Sequence, residues 1–193
     1  MRKIVNMLNW TWRGLVCGYS HTAEEHVTSD GMVIIGTAGE QPEYAAAMFK
    51  EDYVLAERIA AGLVDKNPND ARARIALAHP QMTQRHYADA ALNYDKAIAL
   101  DPRNTIALYS RGLVAQEQED FETAKRFYER TLEIDINFAA GHFGMAAACE
   151  GIGLSELVIQ HATTFLGLKP NSSLAAEAKD MIRVAEDEMK SKQ

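Results

Sequence analysis

Histidine and cysteine are the residues of this 193-residue chain best suited to hold a metal ion or to act as a nucleophile. The six histidines show no metal-ligand spacing, and the two cysteines, Cys17 and Cys149, lie far apart and form no CxxC pair. The segment CGYSH at 17–21 has Ser20 where a haem attachment motif has its second cysteine. The sequence therefore predicts no metal site, no disulfide framework and no haem.

Other catalytic motifs are missing from the sequence as well. The segment GTAG at 36–39 lacks the lysine of a phosphate-binding loop and is typical of a turn. A serine or cysteine nucleophile needs a base held in contact with it, and no spacing in the chain brings such groups together. We predict no catalytic residues, no cofactor and a protein that is not an enzyme. Cys149, in the apolar segment GMAAACEGIG, is predicted to be a buried core residue.

The charge balance limits the classes of partner. The chain carries 27 acidic and 20 basic residues, a net charge of −7, and so has no general attraction to nucleic acid. No run of 18 apolar residues is present, which predicts no transmembrane helix. Arg2 and Lys3 precede an apolar stretch that polar residues interrupt, which leaves peripheral or lipid-anchored membrane association open. A cytoplasmic location is slightly favoured, and a periplasmic or membrane-anchored one is the alternative.

A sequence repeat with a period of about 34 residues runs through most of the chain. Proline or its replacement recurs at this interval, at Pro68, Pro102, Ile136 and Pro170. Between these positions, pairs of apolar stripes with helical spacing are separated by short polar turns such as QEQED. Because proline cannot continue a helix, it fixes the end of each pair. We expect pairs of helices, with Asp120 as the N-cap of one second helix.

Small and aromatic residues also recur within each period. Gly112, Ala124 and Tyr128, together with Pro102, resemble the tetratricopeptide repeat family at these spacings. The resemblance covers about residues 40–172. It implies an all-α fold, a right-handed α-α superhelix or solenoid of about 3–4 tetratricopeptide helix pairs plus a C-terminal capping helix.

The chain departs from the family pattern at two positions of the repeat. The aromatic usual near the start of the first helix is replaced by Arg74, Leu108 and His142. In the last unit, Ser155 stands where the second helix has its first aromatic. We expect Phe165 to fill that gap.

The period divides the chain into three regions. Residues 1–40 are predicted to be an N-terminal leader or extended region, residues 41–172 the repeat array and residues 173–193 the capping helix. The units of the array are expected near 41–70, 71–104, 105–138 and 139–172.

Pro80 lies near the middle of a predicted first helix, in the segment RIALAHPQMTQ. Interior proline removes one backbone hydrogen bond and kinks the helix. We therefore expect a bend there, and a carbonyl at Ala76 that has lost its partner. The bend is either simply tolerated or widens a groove beside His79 and Met82.

The resemblance implies a binding site on the first helices, because in this family they line a concave groove. The corresponding positions here are mostly apolar, with aromatics and two methionines, which suits an amphipathic helix or an apolar extended segment of a protein or peptide. Carried over at helical spacing, they are Ala45, Met48, Phe49, Arg72, Ile75, His79, Met82, Ile106, Tyr109, Leu113, Gln116, Ala140, Phe143, Ala147 and Glu150.

Two further expectations concern what fills this groove. Some family members bind acidic C-termini through a basic clamp, which is replaced here by Ile75, His79, Tyr109 and Leu113. A chaperone tail is therefore not the predicted partner. The leader, which carries Trp10 and Trp12, is an alternative occupant of the groove.

The sequence predicts a non-enzymatic interaction module, or scaffold, that holds a partner segment in this groove. An alternative is an envelope-anchored assembly factor of a pilus or secretion machine, which requires an N-terminus processed near Cys17. A further alternative is a structural subunit of a larger complex that binds through its convex surface and leader. The partner, the pathway and the oligomeric state do not follow from the sequence.

Overall fold

The structure is a computed structural model that describes residues 41–191, and every regular element within that range is an α-helix. The expectations for the leader, with Trp10, Trp12 and Cys17, fall outside this range. The helices are α1 Pro42–Phe49, α2 Tyr53–Lys66, α3 Ala71–Thr83, α4 Tyr87–Leu100, α5 Thr105–Glu117, α6 Phe121–Ile134, α7 Ala139–Ile152, α8 Ser155–Leu168 and α9 Ala175–Ser191.

The helices form two compact units, a first unit that ends at Ala107 and a second unit that begins at Leu108, inside α5. In the first unit, α1 packs on α2, α2 on α3, and α3 on α4. In the second unit, α6 packs on α7, α7 on α8, and α8 on α9. Antiparallel neighbours joined by short turns are the arrangement that the repeat period predicts.

The turn inside each helix pair has the same backbone conformation at one residue. One residue of this turn has a positive φ in every pair: Glu51, Arg85, Glu119 and Gly153. Three of the four are not glycine, although the left-handed region is unfavourable for residues with a Cβ. The turn after α5 is also fixed by Asp120, whose carboxylate accepts a hydrogen bond from the Thr123 amide at 3.1 Å. The predicted N-cap is therefore confirmed.

Pro80 lies inside α3, which continues from Ala71 to Thr83. The Ala76 carbonyl loses its backbone partner, as expected, because Pro80 has no N–H. It is not left unpaired, since the hydroxyl of Tyr44 in α1 donates to it at 2.8 Å. A tertiary hydrogen bond from a residue 32 positions away thus replaces the backbone hydrogen bond that proline removes.

Polar side chains connect three helices of the first unit. The Glu57 carboxylate on α2 accepts from the side-chain amides of Gln81, at 3.0 Å, and Gln84, at 2.8 Å. The Asn93 amide on α4 donates to the Gln81 side-chain oxygen at 2.9 Å, and Arg74 donates to the Asn93 oxygen at 3.4 Å. Gln81 and Asn93 are buried, so these hydrogen bonds satisfy groups that would be costly to leave unpaired.

The core of the second unit is built around Tyr128 on α6, which is fully buried. A Cβ at Gly112 would lie 2.6 Å from the Tyr128 ring, and one at Gly144 would lie 2.8 Å from it. Glycine is therefore required at both positions, because the ring occupies the space that a Cβ would take. The Tyr128 hydroxyl donates to the Gln116 side-chain oxygen at 3.1 Å, which satisfies both buried groups.

The last helices complete this unit. Phe165 on α8 is buried and packs edge-on against Phe143 at a ring separation of 5.1 Å, so it fills the gap as expected. Cys149 is also buried, as predicted, and desolvation raises the pKa of its thiol to about 11. The C-terminal helix α9 buries Ala178 and Met181 and leaves its charged residues exposed or, at Asp180, partly exposed.

Candidate partner-binding surface

An exposed line of residues follows the first helix of a pair. On α3, the Arg72 side chain is 58% exposed, and His79 and Thr83 are partly exposed, whereas Ala73 and Ala76 beside them are buried. His79 and Thr83 come seven and eleven residues after Arg72. In a helix of 3.6 residues per turn, each is therefore rotated by only about 20° from Arg72 around the helix axis. We call the lines at 72, 79 and 83 on α3 and at 140, 147 and 151 on α7 the first-helix stripes.

The first unit places its predicted groove residues in two different environments. Phe49 on α1 is 56% exposed and Ala45, four residues before it, is partly exposed. Arg72 and His79 lie on the stripe of α3, and Ile106 at the start of α5 is partly exposed. The three remaining predicted residues are buried: Met48, Ile75 and Met82.

The second unit buries most of its predicted groove residues. Ala140 and Ala147 on the α7 stripe are partly exposed, and Glu150 near the end of that helix is exposed. Phe143 and Tyr109 are each 1% exposed. Leu113 and Gln116 on α5 are buried as well. A binding role for the residues of the predicted set stays a prediction, but burial narrows the side chains that a partner can touch.

Helix geometry explains why part of the predicted set is buried. A residue three positions after a stripe residue is rotated about the helix axis by about 300°, which places it about 60° to one side of the stripe. Ile75 and Phe143 take this rotated position and are buried, and Phe143 packs against Phe165 on α8. Tyr109, three positions after Ile106 on α5, is buried as well and packs against Tyr128 on α6. The spacings of seven and eleven would have excluded them and would have added Thr83 and Gly151, which the sequence reasoning missed.

The two stripes differ in chemistry. Arg72 has Asp70 at 3.6 Å, and this contact is exposed, so it leaves the guanidinium accessible. Desolvation lowers the pKa of His79 to about 4, so its imidazole is neutral at pH 7. The Tyr94 ring lies edge-on to His79 at a ring separation of 5.7 Å. The α7 stripe instead consists of the small residues Ala140, Ala147 and Gly151.

Residues 41–191 contain neither a cluster of side chains that could hold a metal ion nor a helix that could span a membrane. No group of three or more histidine, cysteine or carboxylate side chains within residues 41–191 could hold a metal ion. No helix in the same range is long and apolar enough to cross a membrane. His21 and His26 lie outside the described residues.

Comparison with known proteins identifies the fold. The MamA RS-1 ArsTM double mutant aligns with a TM-score of 0.63 and 16% identity, over 82% of this chain and 99% of that chain. The first TPR of Spaghetti (RPAP3), bound to the HSP90 peptide SRMEEVD, aligns with a TM-score of 0.59 and 18% identity, over 62% and 93% of the two chains. The Arabidopsis OM64 TPR domain aligns with a TM-score of 0.57 and 16% identity, over 61% and 94%.

These likenesses show a tetratricopeptide-repeat-like fold. The expected all-α fold of tetratricopeptide helix pairs with a C-terminal helix is confirmed. No family model matches the sequence, and no curated protein matches it either. At 16–18% identity, the likeness to these structures concerns the fold alone.

Proposed function

We propose that this chain is a non-enzymatic protein-interaction module, in which the first-helix stripe of each unit can bind a segment of a partner protein. The observation that carries the proposal is the exposure pattern of α3 and α7. Both helices are buried along most of their length, yet each leaves the residues of its stripe at least partly exposed. A tetratricopeptide fold of this kind has been solved with a bound peptide in the first TPR of Spaghetti (RPAP3).

The accessible side chains favour an extended or helical segment with apolar and acidic groups. Phe49 offers an aromatic contact, and Arg72 a guanidinium that can pair with a carboxylate. Because His79 is neutral at pH 7, it adds no positive charge beside them. Ala140 and Ala147 present small, partly exposed apolar side chains on α7, against which an apolar side chain of the partner can pack. This chemistry supports a mixed segment over a purely acidic tail.

Site-specific crosslinking in the native host tests the proposal directly. A photoreactive residue is placed at Phe49 and Ala147 on the first helices and, as matched controls, at Val54 and Leu92 on the second helices. Val54 and Leu92 are exposed apolar residues, 72% and 53%, so they are as accessible as Phe49. One discrete partner captured from the first-helix positions and not from the controls is the expected result.

A charge substitution then separates binding from folding. Phe49→Glu with Ala147→Glu is expected to abolish capture with helical content unchanged, since both positions are accessible. Val54→Glu with Leu92→Glu serves as the control and is expected to keep the partner. Charge at Tyr109 or Phe143 would not be informative, because both are buried and a charge there would unfold the unit. Equal capture from all four crosslinking positions would overturn the proposal and favour a structural subunit.

A further inference from the structure

Two histidines of the second unit face each other inside it. His142 on α7 is buried and His161 on α8 is half-buried, and their Nδ1 atoms are 2.9 Å apart. On its other side, His142 Nε2 lies 2.8 Å from the carbonyl oxygen of Ile136, in the turn between α6 and α7. The His142 imidazole therefore links helix α8 to the turn between α6 and α7.

The hydrogen bonds determine the tautomers of the neutral pair. A carbonyl oxygen only accepts, so His142 must carry its proton on Nε2 and donate it to Ile136. His142 Nδ1 is then an acceptor, and His161 must donate from its own Nδ1. The pair accepts one further proton, at His161 Nε2, without losing either hydrogen bond. The next proton would have to bind His142 Nδ1. It would place two N–H groups face to face at 2.9 Å and a positive charge on each of the two rings.

The surroundings of His161 also disfavour its charged form. Desolvation lowers the pKa of His161, and His142 lowers it further. From α6, the Glu129 carboxylate acts in the opposite direction, but it also forms an ion pair with Lys125 at 2.6 Å. Within the described residues, no charged group of α9 is among those that shift the pKa of His161.

The turn held by this pair is coupled to the core of the unit. Phe138, at its end, packs edge-on against Tyr109 at a ring separation of 5.4 Å. The Phe138 amide donates to the Asp135 carbonyl at 3.1 Å, and the His142 amide donates to the Phe138 carbonyl at 3.3 Å. Ile136, between Asp135 and Phe138, is 66% exposed, so burial of its side chain contributes little to the stability of this turn.

We propose that His142 and His161 form a proton-operated latch on the turn at residues 135–138. In the neutral and singly protonated states, the latch holds Ile136 and keeps Phe138 against Tyr109. When the second proton binds, the rings separate, the hydrogen bond to Ile136 is lost and the turn opens. The second unit thereby has a local response to acid that is independent of the partner-binding proposal.

Nitrogen NMR of the histidine side chains in the full chain is the first test. At pH 7.5, we expect His142 as the Nε2–H tautomer and His161 as the Nδ1–H tautomer, which is fixed by the geometry above. An Nε2–H tautomer at His161 would overturn the latch, since that ring could not then donate to His142.

Hydrogen exchange measures the opening. Protection of the Phe138 and His142 amides, corrected for intrinsic rates, should fall by about tenfold for each unit of decrease in pH where the closed pair carries one further proton and the open pair carries two, because opening then takes up one proton. The amide of Asp70 is the internal control. It donates to the Asn67 carbonyl at 3.2 Å in an equivalent turn of the first unit, and its protection should change less. The control is read in a His79→Gln background, which removes the acid response expected of the first unit. A parallel loss at Asp70 in that background would indicate global unfolding and overturn the proposal.

Substitution shows whether the pair causes this response. His142→Arg with His161→Asn reproduces the pair at Arg74 and Asn93, and it should keep the turn protected from pH 7.5 to 5. His161→Asn alone removes one titrating ring and should reduce the pH dependence. His86→Gln, which removes an exposed histidine, should leave it unchanged. An unchanged pH dependence in the double variant would contradict the latch.

Discussion

Arg74 in the first unit and His142 in the second stand at equivalent repeat positions, two periods apart. Arg74 donates to the Pro68 carbonyl oxygen, at 3.3 and 3.4 Å, and to Asn93, at 3.4 Å. His142 donates to the Ile136 carbonyl and pairs with His161. In both units, the partners lie six residues before and 19 residues after the central side chain.

The two pairs differ in whether their central side chain changes its protonation state with pH. A guanidinium stays charged and donates at any physiological pH, whereas an imidazole changes its donors and acceptors when it is protonated. The same contacts are therefore insensitive to acid in the first unit and sensitive to it in the second. The comparison teaches that a repeat fixes where a polar pair lies, while the residue types at that place fix how it responds to its surroundings.

The largest expected difference concerns the glycines. Gly144→Ala in the second unit should destabilise by about 1–3 kcal/mol, because the new methyl group overlaps the Tyr128 ring. Gly62→Ala in the first unit should stabilise by about 0.4–1 kcal/mol, since its Cβ meets no atom within 4 Å and glycine is unfavourable inside α2. Urea denaturation of both variants measures the difference. A loss of stability in the Gly62→Ala variant would show that the added methyl group meets a neighbouring side chain.

Acid should destabilise the first unit through His79. Its pKa is lowered to about 4 in the folded state, so the unfolded state binds a proton first, at about pH 6.5. Stability is then complete above pH 6.5 and is lost as the pH falls toward 4, by about 2 kcal/mol after allowance for partial exposure. His79→Gln should flatten this part of the curve of unfolding free energy against pH. The slope that remains in that variant should include the contribution of His161.

The tertiary hydrogen bond beneath Pro80 should be worth about 1–2 kcal/mol. Tyr44→Phe leaves the buried Ala76 carbonyl without a donor and should cost about that much. In a Pro80→Ala background, the restored amide can donate to Ala76, so the same Tyr44 substitution should cost less. A double-mutant cycle measures this coupling. Equal costs in the two backgrounds would mean that the hydroxyl does not serve this carbonyl.

The smallest effect is expected at the left-handed turn residues. Glu119→Gly should stabilise by about 0.5–1 kcal/mol, because glycine removes the strain of a Cβ at a φ of 60°. Gly153→Ala at the equivalent position should destabilise by a similar amount, although its Cβ would meet no atom within 4 Å. Thermal unfolding of both variants provides the measurement. Changes of the same sign would show that side-chain contacts outweigh backbone conformation in these turns.

The sequence by itself determined the helices and their pairing. Proline stops, an aspartate cap and apolar spacing act through local backbone geometry, and these rules hold wherever the residues lie in the fold. For this reason the all-α repeat fold, the capping role of Asp120 and the burial of Phe165 were all predictable. The repeat period carried this information because each unit repeats the same local rules.

Only the tertiary structure decided which side of each first helix is accessible and which polar groups find partners. Whether Ile75 or Phe143 faces a partner or a neighbouring helix depends on a rotation of about 60° around the helix axis, which the packing of adjacent helices fixes. The donor for Ala76 comes from Tyr44 on another helix, and the contact between His142 and His161 joins two helices at a distance of 2.9 Å. The repeat places such pairs at equivalent positions, but only the ångström-scale approach between two helices decides whether their side chains touch.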